Sequence, residues 1–231
     1  MTEPRRPLIA SLRHTAILTA IVLGVAAYGI YAQGASHGAE PTAESRGSAL
    51  PLYLSLLAAE WGLLRYAMVG LRRTGTRVRD LVSARWTGPM DVLRDVGIGL
   101  AFWAAWTAAA SVLARVVGQD PKSVEALLPR DLPESVVWVL LSLSAGFCEE
   151  VVFRGYFQTQ FRALWGHAVP AIIGQAVIFG IAHGYQGLRH VVVIAVFGAL
   201  FGLLAHWRRS LAPGITAHAW TDIVAGLIAR R

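Results

Sequence analysis

Residues 145–157 read AGFCEEVVFRGYF: two adjacent carboxylates, Glu149 and Glu150, and a guanidinium, Arg154, stand inside an otherwise apolar run. A run this apolar reads as part of a helix crossing a bilayer, where a charged group costs on the order of 3 kcal/mol even on insertion scales. Two carboxylates side by side therefore mark a functional site, and the fold has to supply the means of tolerating them.

The surrounding chain has the same character. Of its 231 residues 55% are hydrophobic and 15% charged, with a mean hydropathy of +0.51, which is too apolar for a soluble domain. Apolar blocks at 15–32, 50–71, 92–117, 133–153, 168–183, 190–207 and 211–229 have about the length that a spanning helix needs. The expected fold is an all-α polytopic membrane bundle of about seven transmembrane helices, with the lipid bilayer as its medium. The first block follows Arg5, Arg6 and Arg13 in the manner of a signal peptide, but the later spans favour a retained helix. There is no internal repeat.

The formal charge of +7 sits mainly in short connections, so it orients the chain and implies no nucleic-acid partner. Arg5, Arg6 and Arg13, then Arg72, Arg73, Arg77, Arg79, Arg85 and Arg94, then Arg154 and Arg162, then Arg208 and Arg209 fall on one side if the spans alternate. By the positive-inside rule that side, with the N-terminus, is cytoplasmic. The intervening connections carry Glu40, Glu44, Asp120, Glu125, Asp131 and Glu134. An odd number of spans leaves Arg230 and Arg231 on the other side, where they fit the rule poorly. Lys122 is the only lysine among many Arg, Ala and Gly residues, a composition that points to a bacterial cell membrane.

Cys148 is the only cysteine, which excludes an intrachain disulfide or zinc-cysteine cluster. In a helix interior it reads as a small packing residue. Gly198 and Gly202 form a GxxxG pair that speaks of helix packing. Residues 155–166, GYFQTQFRALWG, suit either an interfacial helix or a continuation of the fourth span. His14, His37, His167, His190 and His206, near span ends or loops, read as structural.

The polar groups that remain in the later spans come from three helices: Glu149, Glu150 and Arg154, then His183, then His218 and Asp222. Four-residue spacing puts Glu150 and Arg154 on one helical face, where an ion pair makes both tolerable. Glu149 points elsewhere and is free for proton chemistry. His218 and Asp222 repeat the spacing, and Phe179 stands one turn before His183 as a wall. Two mechanisms are open. Glu149, His183 and His218 hold a divalent metal such as zinc, or Glu149 activates water directly while the histidines stabilise an oxyanion. The HExxH pattern of helical zinc proteases is absent.

These residues resemble the CPBP family, the CAAX proteases and bacteriocin-processing enzymes. EExxxR matches Glu149, Glu150 and Arg154; FxxxH matches Phe179 and His183; and a histidine followed four residues later by Asn or Asp matches His218 and Asp222. The resemblance implies a catalytic membrane core over 133–231, with 1–132 supplying N-terminal helices that match only in being hydrophobic. It implies an intramembrane endopeptidase acting on a membrane-associated protein or peptide. Glu149 would be the base on water, with His183 assisting or ligating metal. His218 and Asp222 would stabilise the oxyanion, and Glu150 and Arg154 would support the site. Many members carry Asn where this chain has Asp222, which when ionised accepts but does not donate a hydrogen bond.

Two other functions use the same groups. A proton-coupled transporter would employ them as a relay, but the duplicated halves common in transporters are not visible; a non-catalytic scaffold would leave them facing different ways. One expectation strains the protease reading: straight spans place Glu149 and His218 roughly 10 Å from the cytoplasmic face and His183 roughly 20 Å deep.

Overall fold

The computed structural model describes residues 7–35, 47–82, 86–118 and 127–228, and among them every regular element is a helix. In chain order these are α1 (Leu12–Ala35), α2 (Leu50–Arg73), the short α3 (Val78–Val82) and α4 (Pro89–Val117). There follow α5 (Leu132–Glu149), a π-helical segment (Glu150–Phe157) and α6 (Gln158–Trp165), then α7 (Ala168–Ala182), a 3-10 turn (Gly184–Gln186), α8 (Leu188–Arg208) and α9 (Ala212–Ile228). Arg5, Arg6, His37, Glu40, Glu44, Arg85, Asp120, Lys122, Glu125, Arg230 and Arg231 lie outside the described residues.

Local chemistry sets the boundaries. Asp131 caps α5 by accepting the Glu134 backbone N–H at 2.8 Å, with Pro133 in the first turn, where a missing N–H costs nothing. Gly166, at φ 75°, closes α6 and turns the chain into α7.

Seven helical runs stand where the seven apolar blocks were expected, but they are not equal. Leu12–Ala32, Leu50–Arg73, Pro89–Val117, Leu132–Trp165 and Leu188–Arg208 are long and apolar enough to cross a membrane. The protein is an integral membrane helical bundle. α7 is apolar but has 15 residues, and α9 has 17, so each is shorter than a full bilayer crossing.

The fourth run departs furthest from its expected bounds. Rather than ending near residue 153 it continues without a break to Trp165, so residues 155–166 continue the span, with Phe157, Gln158, Gln160, Phe161 and Ala163 buried. Arg154 accordingly belongs to no basic connection; it is enclosed within the bundle.

Contacts between chain ends show the alternation. At one end, Thr74 Oγ1 donates to the Ile9 carbonyl at 2.5 Å, Gln160 holds the Ile9 and Ala10 backbone, and Arg208 meets Asp95 at 2.6 Å. At the other, Ala49 N–H donates to Glu134 at 2.7 Å and Tyr53 O–H to the Leu127 carbonyl at 2.7 Å. The first end gathers Arg13, Arg72, Arg73, Arg77, Arg79, Arg94, Arg162, Arg208 and Arg209; the second gathers Arg115, Arg130 and Arg189.

Half of the apolar window of the α5–α6 run is buried, against 11% for α4, which makes α5 the central helix. Lipid offers no hydrophobic drive between helices, so close approach and buried hydrogen bonds must hold them. A Cβ at Gly146 would meet Ala219 Cβ and backbone N at 2.9 Å, so α5 and α9 touch backbone to backbone there. The Gly198 and Gly202 pair does pack: their carbonyls accept from Gln175 and Gln158, each at 2.9 Å, tying α8 to α7 and to α6.

Candidate active site

The α6–α7 hairpin explains how Glu149 meets His183. Glu149 lies seventeen residues before Gly166 and His183 seventeen after it, so antiparallel helices folded at that glycine bring the two level. Measured from the hairpin, each is about 22–24 Å along its helix at 1.5 Å per residue. The expected depth mismatch disappears, because the span carrying Glu149 is longer than its apolar block suggested. Glu149 and His183 thus lie deep along their helices, whereas His218 reaches the same space from the second turn of α9, which starts at Ala212.

Glu149 Oε2 is 4.0 Å from His183 Nε2 and 3.6 Å from His218 Nε2, and this buried oxygen makes no hydrogen bond among the described residues. Both imidazoles turn their other nitrogen away. His183 Nδ1 lies 2.9 Å from the Phe179 carbonyl, which accepts only, so Nδ1 carries the proton. His218 Nδ1 donates to Glu150 Oε1 at 3.0 Å. In each ring the partner behind fixes which atom is left for chemistry.

Glu150 is fully buried and serves the site from behind. Its Oε1 is also 2.9 Å from Arg154 Nη1, so the four-residue pairing expected from spacing is made, although the segment is π-helical. Insertions of this kind recur at functional sites because they re-aim side chains within a continuous helix. The Arg154 guanidinium lies 4.2 Å over the Phe179 ring and 5.5 Å from that of Phe201, a cation stabilised by aromatic faces as well as by its carboxylate. Glu150 Oε2 faces the first turn of α9, 3.0 Å from where a Gly214 Cβ would stand. The positive end of that helix favours the carboxylate.

Phe179 is the expected wall, with its ring 4.8 Å from His183 and 6.1 Å from His218. Phe197 and Phe201 close the far side of His218 at 5.1 and 5.8 Å. Asp222 is the loosest member. Its Oδ2 is 3.7 Å from His218 Nε2, its side chain is 35% exposed, and its backbone carbonyl accepts from Trp138 Nε1 at 2.8 Å. Glu149, His183, His218 and Asp222 thus share one space, with Glu150, Arg154 and Phe179 behind it.

Residues 131–224 match the family described as type II CAAX prenyl endopeptidase, Rce1-like. That stretch is similar to the CAAX-protease family. No curated protein and no solved structure matches the chain. The matched stretch takes in α5 to most of α9 and thus every residue of the site so far described, while α1 to α4 lie outside it.

One further carboxylate escaped the sequence reading. Glu60 on α2 lies within electrostatic range of Glu149 and Asp222, and its Oε2 is buried without a hydrogen bond among the described residues. The signal was available, since Glu60 is the only acidic residue in the apolar block 50–71. The other structural histidines behave as expected where contacts define them: His14 bonds Tyr156 and the Tyr66 carbonyl, and His206 lies against Arg162.

Proposed function

We propose that this protein is an intramembrane endopeptidase of the CAAX-protease type that hydrolyses a peptide bond of a membrane-associated protein or peptide, with Glu149 as base on the attacking water. The observation that carries this is the convergence of Glu149 Oε2 with two imidazole Nε2 atoms at 3.6 and 4.0 Å. Those separations exceed a direct hydrogen bond but suit groups that share one small molecule at about 2.8 Å.

The tautomers assign roles. His183, protonated at Nδ1, offers a lone pair at Nε2, so a water between it and Glu149 donates one proton to each and aims its oxygen outward. Glu149 takes the proton as the C–O bond forms. His218, with Glu150 as counter-ion at Nδ1, carries a second proton at Nε2 and donates it as a hydrogen bond to the oxyanion. When the C–N bond breaks, Glu149 returns its proton to the leaving amine. Asp222, an acceptor, stands at the mouth of the site and supplies no donor while ionised.

A metal would be held by the same atoms. Carboxylate and imidazole are ligands that zinc takes, and a bound ion would supply a water of lowered pKa. Donors on a tetrahedral ion with bonds of about 2.1 Å lie about 3.4 Å apart. The separations here are wider, and among the described residues no three His, Cys, Asp or Glu groups are spaced to hold an ion. The residues fit such an ion in type, and the steps above run on side chains alone.

By the positive-inside rule the arginine-rich end faces the cytoplasm of a bacterial cell. The test is Glu149→Gln in proteoliposomes with a library of membrane-associated peptides read by mass spectrometry. Cleavage should fall by about 10³-fold with unfolding temperature unchanged. Undiminished cleavage by Glu149→Gln would sink the assignment, and proton-coupled uptake by the wild type would revive a transporter.

A further inference from the structure

We infer that the hydroxyl of Tyr185 is a second hydrogen-bond donor to the oxyanion, beside His218, in the reaction proposed above. The inference rests on the protease reading, and Tyr185 belongs to none of the motifs that carry the family resemblance.

The turn after His183 fixes where Tyr185 stands. α7 stops at Ala182, and the 3-10 turn Gly184–Gln186 follows His183 directly. The Gln186 N–H donates to the His183 carbonyl at 2.9 Å and the Gly187 N–H to that of Gly184 at 3.0 Å, with Gly187 at φ 99° ending the turn. The Tyr185 ring lies against that of His183, with 6.1 Å between centroids and 29° between planes. α1 packs on the turn from the other side. A Cβ on Gly29 would stand 3.1 Å from that of Tyr185, and one on Gly184 would meet the Ile30 side chain. Bare backbone on each partner lets α1 and the turn meet closely, and the tyrosine is held between α1 and the imidazole.

Two aromatic rings therefore lie against His183, and they differ. Phe179, at 4.8 Å, looks inward to Arg154, Phe197 and His218 and carries no polar atom. Tyr185 brings a hydroxyl. Its oxygen accepts from Gln186 Nε2 at 3.1 Å, which turns the O–H proton away from that amide, and among the described residues no group accepts the proton. The hydroxyl is within electrostatic reach of Glu149 and Asp222, the two carboxylates that flank His218 Nε2.

The chemistry of the site says what an uncommitted donor is for. Glu149 and the lone pair at His183 Nε2 hold the water, and both are acceptors. His218 Nε2 is the one donor so far assigned to the oxyanion, whereas oxyanion holes aim several fixed donors at the developing charge. A phenol O–H supplies the second donor without placing another charge in the bilayer, where charge is costly.

The test uses the full chain in proteoliposomes, a library peptide that the wild type cleaves, and a phosphinate peptide of the same sequence, whose P–O⁻ stands where the oxyanion forms. Tyr185→Phe keeps the ring against His183 and Gly29 and deletes the donor, so unfolding temperature should be unchanged. It should lower kcat by about 10²-fold, leave KM within about twofold, and weaken phosphinate inhibition by about the same factor as kcat, because a transition-state donor adds little to ground-state binding. Gln186→Met frees the hydroxyl to rotate and should cost about threefold in kcat, with phosphinate affinity following. A kcat within about twofold of wild type in Tyr185→Phe overturns the inference, as does a loss carried by KM with phosphinate affinity intact. If Tyr185→Phe yields no folded protein, an unaltered kcat in Gln186→Met overturns it. Absence of cleavage by wild type, or cleavage undiminished in Glu149→Gln, overturns the protease reading itself, a distinguishable result.

Discussion

Two buried imidazoles, His14 and His218, are 6% and 4% exposed, and each receives partners from helices distant in sequence. They differ in what is left over. His14 spends both nitrogens: Nε2 donates to the Tyr66 carbonyl at 3.0 Å, which obliges Nδ1 to accept from Tyr156 O–H at 2.8 Å. Its ring is also stacked on Tyr66 at 4.3 Å. His218 spends one nitrogen on Glu150 and turns the other toward Glu149 and Asp222, at 3.6 and 3.7 Å, without a hydrogen bond to either. Burial and polarity are common to both. An unspent valence in a polar space separates the imidazole we propose to be reactive from the structural one.

The comparison breaks most sharply at His218. His218→Gln keeps an amide donor for Glu150 but loses the ring nitrogen Nε2 that faces Glu149, and should lower cleavage by about 100-fold. Unfolding temperature should fall by only a few degrees, so a change in stability with no change in rate would make His218 another His14. His14→Phe should do the reverse. It strands the Tyr66 carbonyl and leaves Tyr156 with Thr15 alone, at a cost of about 1–3 kcal/mol by thermal unfolding in detergent. Protein that remains folded should cleave within about twofold of wild type. The smallest effect belongs to Asp222→Asn: with a carboxylate 35% exposed and beyond hydrogen-bond distance, cleavage should fall about threefold or less. A larger loss would show that Asp222 orients His218 more tightly than 3.7 Å implies.

Much of the site was legible in the sequence. Glu150 and Arg154 are four residues apart, and local spacing alone predicted their contact. The motif residues lie in apolar spans, and that setting marked them. Three features were not legible. The long α5–α6 run hid its length, because Arg154, Gln158, Gln160 and Arg162 make residues 154–165 look like a membrane exit. Glu60 was passed over because its partners lie about ninety residues or more away, on α5 and α9. The division of labour between the nitrogens of His218 follows from Glu150, 68 residues distant.

By itself the sequence determined a set of apolar helices, their alternation and the few polar side chains placed within them. In lipid each backbone must satisfy its own hydrogen bonds, so a run of apolar residues has little choice but to be helical. The tertiary structure decided which of those polar groups share a space, at what depth, and with which atoms unspent. Those outcomes depend on how closely helices approach, as at Gly146 and Ala219, and on where the hairpin turns at Gly166. No periodicity within one span encodes the distance to another.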